Sequence, residues 1–493
     1  MRTTDHGTRT RSILRVASTA LAVVVALSIG VAPSSAAPIE EGYVDPDGAV
    51  DFAGSAALAY AFLDDRVDEY CAADGMCLPR SYQGGFFTTP EWDYTSSFLY
   101  DDALVVMAYT ARGLPDDVRR AQSIGDAMLF AQANDPVFSD GRTRASYQPA
   151  SLREGAVEIG SGASNTGNQA WVGMALARLF DVTGEQRYLD GALKLAEWIQ
   201  RNTVDTENAP FGYIGGQDAV GNALTFKSTE HNIDVTAFFT QLAVLTGDAA
   251  WDDRAALAAG FVAAMQADDG HLWTGTHPDG VSINETPIPE DPQAWSYLAT
   301  LDERYSTALA WTVDNLHATD GPYEGPAFSD ADVSKVWFEG AGQLALALRL
   351  HGSSEDAGYI RSILASVALA QSQADDGDGR GIVAASSDGL DTGFGDLYYS
   401  SLHTGATAWY LLALSGYNPF RLVADVDATT PPRVPSAVPS AGPSVVGGAA
   451  SSDPSGPVLA ESGAEVPVLV VAIAGIAVLA GSALSWRRRT VGR

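Results

Sequence analysis

Lysine is almost missing from this chain: three, at positions 194, 227 and 335, stand against 26 arginines in 493 residues. Acidic residues outnumber all basic ones, 61 to 29, for a formal charge of −32. Such a surface repels nucleic acid and anionic membranes, and it suits a neutral or cationic partner. Cysteine is scarcer still. Cys71 and Cys77 are the only two, which excludes a disulfide-dense scaffold, and no Cys or His stands beside them to complete a zinc site. Also missing is any Pro/Ser-rich break between about residues 40 and 422. That excludes a string of linked modules and leaves one large core or two closely joined ones.

Both ends differ from this body. Arg2, Arg9, Arg11 and Arg15 precede an apolar run over 17–31, and Ser34-Ser35-Ala36-Ala37 follows. This order reads as a signal peptide over 1–37. Residues 423–465 form a stalk rich in Pro, Ser, Gly and Ala, and 466–486 is apolar and long enough to span a bilayer. Arg487-Arg488-Arg489 opens a basic tail, 487–493, which puts that end in the cytoplasm and the body outside. The expected protein is extracellular, at the cell surface. An oxidising location favours pairing of Cys71 with Cys77.

The body, 40–422, repeats. Gly113, Gly184, Gly247, Gly352 and Gly416 each end an apolar helix-like segment, as a C-cap requires. Asp302 takes the equivalent place in a further copy. Segments with one charged face fill 52–68, 116–132, 186–201, 250–266, 303–316 and 355–371. Segments apolar all round begin near Asp101, Asn168, His231, Gln293, Phe338 and His403. Six outer and six buried helices in alternation predict an all-α (α/α)6 barrel of six helical hairpins. Connections from buried to outer helices are short. Those running back, 136–165, 202–227, 267–291, 320–336 and 374–402, are long and meet on one rim, where function concentrates.

That rim gathers acids, amides and aromatic rings. Phe226-Lys227-Ser228-Thr229-Glu230-His231-Asn232-Ile233-Asp234 is its densest stretch, and Ser228 or Thr229 there can cap a helix whose first turn holds Glu230. Trp92, Asp102, Asn168, Trp171, His231, Asp234, Gln293, Trp295, Trp337, Tyr399 and His403 are expected to contact substrate. Rings stack on the apolar faces of pyranoses, while amides and acids bond hydroxyls. Glu230 and Glu339, with Asp101 as a third candidate, are expected to supply acid and base or nucleophile. The same acids also suit the positive ends of helix dipoles. Lys227 and Lys335 precede Glu230 and Glu339 by three or four residues and are candidates to hold a carboxylate or a substrate oxygen. No cofactor or metal is expected: Asp376-Gly377-Asp378-Gly379-Arg380-Gly381 starts like a calcium loop but lacks the third acid and the closing Glu.

Over roughly residues 45–420 the hairpin count and rim motifs resemble the six-hairpin glycosidase superfamily. Tyr100-Asp101-Asp102-Ala103 is similar to the paired aspartates of bacterial α-1,6-mannanases, although Leu104-Val105-Val106-Met107 stands where tryptophans would be expected. The resemblance implies a hydrolase of a neutral poly- or oligosaccharide working through two carboxyl groups. A polysaccharide lyase or unsaturated-uronide hydrolase, and a non-catalytic glycan-binding protein, are the alternatives. Side chains reaching across a wide mouth leave room for water, which points to inversion.

Leu459-Ala460-Glu461-Ser462-Gly463 before the apolar span resembles a sortase sorting signal, with Ala460 for the usual Pro and Ser462 for the usual Thr. The expected partners are therefore carbohydrate, sortase and cell wall, with plain membrane anchoring as the other option. Cell fractionation with C-terminal peptide mapping should find a wall-bound form ending at Ser462. Full-length protein in membranes and nowhere else would remove the sorting idea.

Overall fold

A computed structural model describes residues 42–45, 47–71, 75–89, 92–93 and 95–422. The signal peptide, stalk, spanning helix, basic tail and sorting motif lie outside these described residues. Among the described residues no helix is long and apolar enough to cross a membrane.

Thirteen helices follow in order: α1 (Phe52–Glu69), α2 (Leu99–Arg112), α3 (Pro115–Ala133), the short α4 (Pro149–Arg153), α5 (Thr166–Thr183), α6 (Gln186–Asn202), α7 (Thr229–Thr246), α8 (Ala250–Ala264), α9 (Asp291–Thr300), α10 (Ser306–Asn315), α11 (Phe338–His351), α12 (Ala357–Gln373) and α13 (Thr404–Ser415). Helices α2, α5, α7, α9, α11 and α13 each pack on the next, and α13 returns to α2, closing a six-membered ring. Around it lie α3, α6, α8, α10, α12 and α1, so the expected (α/α)6 barrel is present. The inner helices are buried nearly from end to end, as their Ala- and Leu-rich, all-round apolar sequences require.

The ring is filled. Trp171, Trp295 and Trp409 meet at its centre with ring centroids 5.3 to 6.1 Å apart, and Phe420 approaches Trp171 to 5.0 Å. Three of these four contacts are edge-on and Trp295–Trp409 is stacked, arrangements that suit the aromatic quadrupole. Only the end carrying the long loops is left for chemistry.

Five inner helices end on the expected glycines, each left-handed at φ 67 to 76°. The sixth differs from expectation: Leu301, not Asp302, takes the left-handed place (φ 52°). Asp302 instead accepts from the Arg304 N–H and starts the following turn. Cys71 and Cys77 are joined by a disulfide, with Cα atoms 4.8 Å apart.

Close packing within the ring depends on small residues. A Cβ at Gly342 on α11 would stand 2.9 and 3.0 Å from the main chain of Trp409 on α13. Backbone cannot rotate aside, so the helices would have to part. Gly342→Ala is expected to cost about 1–3 kcal/mol, read as a lowered Tm in thermal unfolding. An unchanged Tm would show that the two helices are not locked there.

Candidate active site

Three amide side chains in the first turns of inner helices do the same job. Gln169 on α5 accepts from the Thr143 N–H (2.9 Å) and donates to the Thr143 carbonyl (3.0 Å). Asn232 on α7 does so with Tyr213 (2.9 and 2.9 Å), and Gln293 on α9 with Leu272 (2.7 and 2.9 Å). Thr407 on α13 accepts from the Ile382 N–H at 2.9 Å. Each clamps a long loop onto the start of the next inner helix. Gln293, expected to bind substrate, is therefore a loop clamp whose amide is already engaged. Asp102 holds the matching place on α2, where Ser97 donates to it (2.8 Å), and it too is fully buried and turned away from any ligand.

Two residues before these five positions stand Tyr100, Gly167, Glu230, Asp291 and Gly405, and with Glu339 in the first turn of α11 they follow one another round the ring's loop-bearing end. The acids stand on three successive helices, α7, α9 and α11. The opposite half has glycine in two of its three places, and those glycines admit neighbouring side chains. A Cβ at Gly405 would meet Asp101 Oδ1 at 2.5 Å, and one at Gly167 would meet His231 Cδ2 at 2.5 Å and Asp234 Oδ2 at 2.8 Å.

His403 caps α13. Its Nδ1 accepts from the Ala406 N–H at 3.2 Å, leaving Nε2 to face Asp101 Oδ1 at 3.3 Å, while Nδ1 lies 3.5 Å from Glu339 Oε2. All three residues are buried, and the Tyr82 ring stacks on the imidazole at 4.3 Å. Burial works to lower the His403 pKa, but Asp101 and then Glu339 outweigh it, so the net shift is upward. His403 was expected to touch substrate. It is instead the bridge through which Asp101 and Glu339 meet, covered by Tyr82.

Glu339 also accepts from the Tyr100 hydroxyl at 2.7 Å, and Tyr100 in turn accepts from Trp409 Nε1 at 2.8 Å. Burial, opposed by His403 and reinforced by Asp101, pushes the Glu339 carboxyl from 4.5 up to about 7. Next along the ring, burial holds Asp291 well above the usual carboxylate range, and Glu339 adds to this while Gln343 opposes it. Glu290 is raised by burial and then by Asp291. Asp234 is raised by burial and then by Asp291, with the Trp171 indole opposing. Neither oxygen of Glu290 has a hydrogen-bond partner. Shared burial favours the protonated form of each of these acids. Among the described residues no set of three or more His, Cys, Asp or Glu is placed to hold a metal ion.

Glu230 keeps slight exposure (8%) and lines a recess with Ser228, Thr274, Pro289, Pro292, Phe328 and Phe394. Its volume, about 10 Å³, is that of a single water site. Ser228 caps α7, accepting from the His231 N–H at 3.3 Å. His231 and Asp234 are buried on the inward side of that helix. Asn168 is buried with 8% exposure.

Aromatic loops cover the mouth. Phe328, Trp337 and Tyr398 pack at centroid distances of 4.9 to 5.8 Å, and Phe86 stacks on Tyr399 at 3.9 Å. Trp337 is 1% exposed and belongs to this cover, while Trp171 and Trp295 belong to the central plug; none of the three presents a face to a sugar. Tyr399 is half-buried and accessible. The side chain of Trp92 lies outside the described residues. Lys227 does not serve the site: its buried ammonium donates to the carbonyls of Asn208, Pro210 and Gly280 (2.6 to 3.0 Å) and pairs with Asp205 at 2.9 Å. Lys335 reaches Ser334 Oγ at 3.3 Å instead of Glu339. Tyr100, Asp291, Glu290 and Tyr398 belong to this cluster and are not among the residues expected there. The spacing that sets Glu230 two residues before Asn232 also sets Asp291 two before Gln293, and that signal was there to find.

No protein-family model matches this chain, and no curated protein matches it in sequence. Among solved structures it is similar to a D-mannose isomerase (TM-score 0.55, 12% identity, 76% of this chain and 99% of that one). It is also similar to an α-amylase from Clostridium perfringens (0.52, 11%, 74% and 98%). A family 76 glycoside hydrolase (mannosidase) from Bacteroides thetaiotaomicron gives 0.51 and 13% identity, over 74% and 98%. At these identities the shared property is the six-hairpin α/α fold.

Glu339, Asp291, Glu290, Asp234 and Asp102 all bind protons more tightly folded than unfolded. Their contribution to stability is present below the unfolded carboxylate range and is lost as pH rises through the folded pKa, about 7 for Glu339. The raised pKa of His403 acts in the same direction. Acids depressed by ion pairs, such as Asp205 at about 2, contribute uniformly above pH 5 and cancel from the comparison. Thermal unfolding should therefore show Tm falling between pH 5 and 8. Glu339→Gln should flatten that slope, removing on the order of 3 kcal/mol of pH-dependent stability. A Tm rising over this range would contradict the neutral-acid picture.

Proposed function

We propose that this chain is a glycoside hydrolase acting on a neutral poly- or oligosaccharide outside the cell, anchored at the surface through its C-terminal segment. The observation that carries the reading is the Glu339 carboxyl, fully buried, hydrogen-bonded by Tyr100 and holding its proton to about pH 7. Glu339 is then the general acid: its proton passes to the glycosidic oxygen as the bond to the anomeric carbon breaks. Glu230, beside a recess of one water's size, is the base that takes a proton from the attacking water. Asp101, facing His403, sets the charge behind Glu339.

Three cations near the long loops favour this reading over a lyase or uronide hydrolase. Arg142 is paired with Asp140 at 2.7 Å, Arg144 with Asp135, and Lys227 with Asp205. None of these three is left to meet a carboxylate on a sugar. The fold by itself does not choose the reaction, since a D-mannose isomerase, an α-amylase and a mannosidase share it.

Screening the protein on neutral glycans, with product analysis, should find new reducing ends and no aldose–ketose interconversion. On a substrate the parent cleaves, Glu339→Gln and Glu230→Gln should each lower turnover by about 10²-fold or more. Wild-type turnover in both variants would remove these residues from the chemistry.

A further inference from the structure

Eight tryptophans have described side chains, and six are buried: Trp171, Trp198, Trp251, Trp295, Trp337 and Trp409. The two that keep exposure, Trp273 and Trp311, come together. Both flank His271, whose ring centroid lies 4.1 Å from that of Trp273 and 4.9 Å from that of Trp311. His271 is 5% exposed, its Nδ1 is held by Asp269, and its Nε2 has no hydrogen-bond partner.

The place is defined by the loop that follows α8. Thr274 lines the recess beside Glu230, and its carbonyl accepts from the Thr229 N–H at the start of α7 (3.0 Å). One residue earlier the Trp273 carbonyl accepts from Thr229 Oγ1 at 2.6 Å, and the Trp273 N–H donates to Met265 (2.9 Å). Leu272 and Thr274 are buried, Trp273 is partly exposed, and His271 lies buried against the two indoles. Trp311, on α10, is partly exposed too. Beside it, between α8 and α10, a cleft of about 390 Å³ is lined by Gln266, Asp268, Asp269, Gly270, Arg304 and Thr307.

We infer that Trp273, His271 and Trp311 form a second carbohydrate-binding platform, outside the catalytic mouth, that holds the continuation of a polysaccharide chain. Indole faces stack on pyranose rings and bury apolar C–H surface with little loss of side-chain freedom. The exposed carboxylates of Asp268 and Asp269 accept from sugar hydroxyls. Thr274 links the two places, so a chain cleaved at the mouth crosses the rim directly onto the indoles. The inference rests on the carbohydrate reading of this protein but not on its being a hydrolase.

Affinity electrophoresis of the full chain in native gels containing soluble mannan or soluble starch tests this directly. Wild type should be retarded by one of them. Trp311→Ala and Trp273→Ala should each weaken that retention about fivefold to tenfold, while Trp311→Phe, which keeps a flat ring, should retain most of it. On a substrate the parent cleaves, Trp311→Ala should raise KM for polymer and leave hydrolysis of a short aryl glycoside unchanged. Retention that depends on both tryptophans in a protein without hydrolytic activity would support the platform and remove the hydrolase reading. Retention equal to wild type in both alanine variants with unchanged Tm, or no retention of wild type in either gel, would overturn it.

Discussion

Six helices that begin at the same end of a closed ring impose one electrostatic condition on everything built there. Each N-terminus presents unpaired N–H groups and the positive end of a helix dipole. Because every inner helix runs in the same direction, those six ends converge on one small mouth. Acidic side chains are the natural occupants of such a place, and Asp101, Glu230, Asp291 and Glu339 all stand in first turns. Yet the ring is too narrow to keep them hydrated. Burial then works against ionisation and raises the pKa of several of these acids. The mouth is a store of protons because dipoles invite carboxyl groups whose ionisation desolvation opposes.

The loops turn that store into a site. Three of them are tied to the helix they precede by an amide side chain in the first turn that pairs with both polar groups of one loop residue, as Gln169 does with Thr143. The clamp fixes where the loop leaves the rim, and so where its aromatic residues fall. Tyr82 thereby lands on His403, and Tyr398 among the acids of α2, α9 and α11, each of which raises its pKa beyond the effect of burial. Glycines at Gly167 and Gly405 give up side chains of their own to make room for His231 and Asp101. A site made of large polar groups needs vacant positions opposite them.

The six inner and six outer helices of the barrel were legible in the chain; the short α4 in a connecting loop was not. Apolar periodicity marked the inner helices, and the glycine C-caps marked their ends, because both are local properties of backbone and solvent. The Leu301 cap shows the limit: a left-handed residue without glycine leaves no local sign, so the eye moves to Asp302. Glu339 and Asp101 were chosen as acids at helix starts, which is also local. What could not be read was the partner of each polar side chain. Gln293 and Asn168 look alike in sequence, but one is engaged by Leu272 and the other retains exposure.

The sequence by itself determined the hairpin repeat, the crowding of acids at one rim, the acidic surface and the shortage of lysine. Tertiary structure alone decided which acids share a solvent-free space, since a pKa depends on neighbours brought in from helices 60 to 300 residues away. It also decided that most tryptophans plug the ring or cover its mouth, and that Trp273 and Trp311 stay outside. Aromatic residues bury whatever faces the packing leaves free to bury. Which faces those are is settled when the ring closes, because only then is there an inside.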